Sequence, residues 1–90
     1  MDYKTTELDL SSKGLNDEQF YAILAKYPNL QVLICRDNQI TNVDYLPGSL
    51  RQLHCSYNQI TNVDNLPANL RKLKCYRNQI TSIDHLPANL

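Results

Sequence analysis

The chain repeats itself every twenty residues. Leu50 to Asn69 reads LRQLHCSYNQITNVDNLPAN and Leu70 to Asn89 reads LRKLKCYRNQITSIDHLPAN, which agree at thirteen of twenty positions. Leu30 to Ser49, LQVLICRDNQITNVDYLPGS, agrees with the unit after it at twelve of twenty. A looser copy lies upstream, where Leu8, Leu10 and Leu15 take the places of Leu33, Cys35 and Ile40, 25 residues ahead rather than 20. Self-similarity at this period points to a stacked array, because a single unit cannot bury its own apolar face and needs its neighbours to do so. The repeat also explains the composition, in which 14 of 90 residues are Leu and 10 are Asn, with only two Gly. One domain spanning 1–90 is expected, with an atypical first repeat over 1–29 and regular repeats at 30–49, 50–69 and 70–89.

Within a unit such as Leu53-His54-Cys55, apolar residues alternate with an outward one, the period of a half-buried strand. Four such strands stacked in parallel at roughly 4.8 Å would bury leucine on leucine and cysteine on cysteine. Ile60, Val63 and Leu66 are expected to fill the same interior from the returning side, in turns too short for a regular helix. The first unit differs. Asn16 followed by Asp17, Glu18 and Gln19 is a helix start with the residues of a capping box. Phe20, Ile23, Leu24 and Tyr27 then form one apolar stripe, and Pro28 is expected to stop the helix.

The pattern L-x-x-L-x-C-x-x-N-x-I, with Asn38, Asn58 and Asn78 in place and Leu-Pro pairs at 46–47, 66–67 and 86–87, resembles the leucine-rich repeat family. The match runs over residues 5 to 90. The twenty-residue period is similar to the short class found in bacterial secreted effectors and giant-virus proteins. The resemblance implies an α/β fold: a short right-handed solenoid with a parallel concave sheet of about four strands, one N-terminal helix and an irregular convex side. The first unit departs from the family pattern by carrying Lys13 at the asparagine position. The C-terminal cap usual in the family is not apparent in the sequence. The ubiquitin-ligase domain that such effectors often append has no counterpart here, so that activity is not carried over.

Three columns of polar or reactive residues read as structural. Cys35, Cys55 and Cys75 recur at an inward position, where cysteine packs as a small hydrophobe and lacks the clustered spacing of a metal site. The asparagine amides are placed to satisfy backbone groups where the chain leaves the strand. Asp44, Asp64 and Asp84 form a column of like charges, so each carboxylate is expected to accept backbone N–H bonds in its turn, a bridging cation being the sharper alternative. His54 and His85 fall on different sides of the unit, with no nucleophile beside either. No enzyme activity and no cofactor are expected.

The informative positions are those at which near-identical units differ. They lie on the outward strand positions and just after the strand: Glu7, Asp9, Ser11 and Ser12, then Val32, Ile34, Arg36 and Asp37. The next rows are Gln52, His54, Ser56 and Tyr57, and Lys72, Lys74, Tyr76 and Arg77. A constant skeleton under a varied face that includes apolar and aromatic residues is the pattern of an interaction surface. The expected function is a non-catalytic protein–protein interaction module, binding through Val32, Ile34, Arg36, Gln52, His54, Tyr57, Lys72, Lys74, Tyr76 and Arg77. The alternatives are a truncated repeat remnant with no ligand of its own, or a weak phosphate or nucleic-acid contact through the basic last repeat.

The formal charge is zero, yet residues 1–29 sum to −2, 30–69 to −1 and 70–90 to +3. Zero net charge argues against nucleic acid held by bulk attraction, and no apolar stretch approaches a membrane span. The partner is expected to be a protein, its identity beyond the sequence. Without a visible signal peptide, a sequon or an even cysteine framework, the expected location is cytoplasmic, in a reducing compartment. Leu90 aligns with Leu30, Leu50 and Leu70, so the sequence stops as another unit would begin. The last coil is expected to be uncapped, and then to be covered by self-association or by a partner, or to be the edge of a remnant of a longer array. Self-association would stack the basic last strand of one molecule on the acidic first strand of another, or bury two bare ends tail to tail.

Overall fold

The structure, a computed structural model, describes residues 1–90 in full. Its elements in chain order are β1 (Glu7–Asp9), α1 (Asp17–Leu24), β2 (Val32–Ile34), β3 (Gln52–His54) and β4 (Lys72–Lys74). The strands form one parallel sheet in the order β1-β2-β3-β4. The register aligns Leu8, Leu33, Leu53 and Leu73 as one inward row, fully buried at Leu33 and Leu53 and partly buried at the two edge strands. Each strand is only three residues long, so none could persist alone; the ladder exists because the leucine row must leave water.

Behind the sheet, one continuous core holds Leu33, Cys35, Ile40, Val43 and their counterparts Leu53, Cys55, Ile60 and Val63, all at most 1% exposed. Leu46 and Leu66 pack partly buried against it. The return path of each regular coil is a succession of tight turns, closed by N–H donations such as Leu50 to the Pro47 carbonyl at 3.1 Å and Leu70 to the Pro67 carbonyl at 3.1 Å. No helix is long and apolar enough to cross a membrane.

Helix α1 begins as its sequence dictates. The Asn16 side chain accepts the Gln19 N–H at 2.9 Å while the Gln19 side chain accepts the Asn16 N–H at 3.1 Å. Phe20 and Leu24 are buried, Ile23 and Tyr27 half-buried. The helix stops at Leu24, earlier than Pro28 alone requires. After Ala25 the bonds tighten to three-residue turns, Lys26 to Ile23 and Tyr27 to Leu24, because the residue before a proline is steered away from helical geometry. The Asp17 carboxylate accepts from the N–H and hydroxyl of Thr41, and the Tyr21 hydroxyl donates to Asn42, so the helix is pinned to the next coil. Burial pushes the Tyr21 phenol up to about 12.

The asparagine column performs the role read from its position. Asn58 Oδ1 accepts the Ile40 N–H at 3.0 Å, and its Nδ2 reaches the carbonyls of Cys35, Cys55 and Ser56 at 3.0, 3.1 and 3.3 Å. Each amide therefore stitches its own turn to the coil before it. The aspartate column behaves differently from expectation. Within each turn the backbone N–H of Asp44 and Asp64 donates to the side chain of Asn42 and Asn62, so the asparagine is the side-chain acceptor there. Asp44 then accepts from Asn65 at 3.1 Å and Asp64 pairs with His85 at 3.3 Å, one coil on in each case.

Candidate functional site

The outer face of the sheet is built from two rows that the register fixes. One is Glu7, Val32, Gln52 and Lys72; the other is Asp9, Ile34, His54 and Lys74. Side chains along a strand alternate faces, so the same ladder that buries the leucine row must present these eight outward. Both rows run in one order: carboxylate, aliphatic, neutral polar or imidazole, ammonium. A shallow open groove of about 130 Å³ lies over Val32, Ile34, Gln52, His54, Lys72 and Lys74, along the strands at Leu33 and Leu53.

The electrostatics of the two ends are set locally. Hydrogen bonds from the Ser11 hydroxyl at 2.6 Å and N–H at 2.9 Å hold the Asp9 carboxyl below the usual carboxylate range. His54 is held below its ordinary value, first because it is desolvated and then because Arg36 and Lys74 are nearby cations. Its Nε2 is buried with no hydrogen-bond partner. That is a costly arrangement in the free protein, since a shielded polar atom loses its water without replacement.

The remaining expected site residues sit on the rim where the strands end. Asp37, Tyr57 and Arg77 occupy the left-handed region at φ +56°, +59° and +57°, as does Ser12 at +57°. This backbone costs a non-glycine residue free energy, and interstrand bonds hold it in place: the Asp37 N–H donates to the Ser56 carbonyl and the Tyr57 N–H to that of Tyr76. Arg36 lies 5.6 Å over the Tyr57 ring, Tyr57 and Tyr76 meet edge to face at 5.7 Å, and His54 is 6.0 Å from Tyr76. The rim cluster therefore joins the groove at His54. Arg77 stands exposed beyond it.

Nine of the ten expected site residues are thus brought together, six in the groove and three on the rim, with Arg77 apart. Ser56 is a correction to the outward row: it is fully buried and its hydroxyl has no partner. The flanking side chains in its row, Arg36 and Tyr76, are far larger, and Tyr76 packs toward both His54 and Tyr57 across it. Sequence reasoning also left Glu7 and Asp9 out of the binding set, although they complete both rows; the −2 charge of the first 29 residues was the available signal. Burial pushes the thiols of the cysteine column up, Cys55 to about 12 and Cys35 and Cys75 in the same direction.

A family model described as Leucine Rich repeats (2 copies) matches residues 28–68 and again 48–88. Nothing matches the chain among curated proteins or among solved structures.

Proposed function

We propose, since the chain belongs to the leucine-rich repeat family, that it is a non-catalytic module holding a protein partner on the outer face of its sheet. Domains of this family generally mediate protein–protein interaction and are typically not enzymes. The observation that carries the reading is the contrast between the two sides of one ladder. Leu33, Leu53 and Leu73 repeat unchanged on the buried side, while Ile34, His54 and Lys74 differ completely on the outer side at the same depth in the sheet. Side chains with aromatic and aliphatic surface next to charge are the kind that anchor interfaces.

A photo-crosslinking residue placed at Gln52, exposed on this face, tests the reading against the same residue at Asn65, exposed on the returning side. Adducts with another protein from Gln52 and not from Asn65 support it; adducts from Asn65 alone refute it. Self-association is the second reading. Its support is the opposite charge of the two edge strands, Glu7 and Asp9 on β1 against Lys72 and Lys74 on β4. A head-to-tail stack has a defect, however. Ile40 and Ile60 donate their N–H groups to Asn58 and Asn78, and with Lys13 at the corresponding place in the first coil, Ile80 would find no such amide. Adducts of twice the chain mass would identify self-association in the same experiment.

A further inference from the structure

We propose that the outer face recognises an extended acidic–apolar–basic protein segment laid across the strands, with its basic side chain over β1, its apolar one over β2 and β3, and its acidic one over β4. This rests on the outer face being the binding surface and adds which partner chemistry it selects. Glu7 and Asp9 share one end of the two rows, Lys72 and Lys74 the other, and Val32 and Ile34 lie between. Because the order is the same in both rows, the face presents a doubled gradient rather than scattered charge.

Spacing selects the form of the partner. Neighbouring strands are about 4.8 Å apart, so β1 and β4 are separated by about 14 Å. An extended segment advances about 3.3 Å per residue and turns every second side chain to the same face, about 6.7 Å apart. Side chains i, i+2 and i+4 therefore span about 13 Å, matching the sheet from edge to edge. The complementary motif is basic-x-apolar-x-acidic, read in either chain direction. The carboxylates over β1 weigh against a polyphosphate backbone, which would meet repulsion at that end.

The test is selection of a displayed random peptide library on the whole protein, on Ile34→Asp, and on the double variant Lys72→Glu, Lys74→Glu. Circular dichroism establishes that each variant is folded. The proposal expects enriched peptides with opposite charges four positions apart flanking an apolar residue, bound at least tenfold more weakly by the double variant and weakened by salt. The double variant should in turn select basic residues at both ends. Enriched peptides that depend on Ile34 but show no charge order would overturn the proposal and leave the outer face as the binding surface. Peptides indifferent to Ile34→Asp would overturn both. No enrichment would refute recognition of an extended segment, leaving the crosslinking experiment to decide the wider reading.

Discussion

Asn58 makes four hydrogen bonds through one amide, all to backbone groups of two successive coils, from a site only 5% exposed. Removing it strands groups that water cannot reach, at about 1–3 kcal/mol for each buried group left unpaired. Asn78 makes the same bonds at a half-buried site, where water can substitute. Asn58→Ala should therefore lower the urea midpoint clearly more than Asn78→Ala. His54 supplies a pH test. Its folded-state value lies below the ordinary one, so the folded protein binds fewer protons than the unfolded chain as pH falls. The contribution is intact above about pH 6.5 and is lost below it. Stability should decline between about pH 7 and 5, and His54→Gln should flatten that decline; an equal slope in the variant and the unaltered chain would contradict this reading of His54. The asparagine column was legible because an amide recurring at a strand exit has one obvious task. The left-handed column was not, since Tyr57 and Arg77 are residue types that give no sign of positive φ.

No three-residue strand holds itself up, so the elements are consequences of stacking; α1 is the exception. Its capping box supplies local stability before any packing, and Asn16→Ala should cost about 1 kcal/mol in thermal or urea unfolding. A loss near zero would mean that Phe20, Leu24 and the Asp17 and Tyr21 contacts to the next coil fix the helix alone. The start of this helix could be read from Asn16 and Gln19, and the strands from alternation around Leu53. Its end could not, because the tightening after Ala25 depends on how the chain enters Pro28. Likewise the aspartate ladder escaped prediction: Asp44 accepts from Asn65, a residue one coil away, while Asn42 is the side-chain acceptor within the turn.

The molecule as a whole is a flat stack, 35 × 30 × 16 Å, with one core running through it. The leucine, cysteine, isoleucine and valine columns behind the sheet are fully buried in the middle coils and only partly covered at Leu73, Cys75 and Ile80. Repetition made this architecture readable, as each buried column appears three or four times in the sequence. What repetition cannot reveal is how unlike side chains meet on the outer face. The stacking of Arg36, Tyr57, Tyr76 and His54, and the burial of Ser56 among them, depend on neighbours one coil away. The central claim is that this face, and not the returning side, binds protein. The most direct measurement is quantitative capture of binding proteins on three folded baits: the unaltered chain, Ile34→Asp on the outer face, and Tyr45→Asp at an exposed position on the returning side. Captured partners should fall at least tenfold with Ile34→Asp and persist with Tyr45→Asp. Partners that persist with Ile34→Asp and vanish with Tyr45→Asp would contradict that claim.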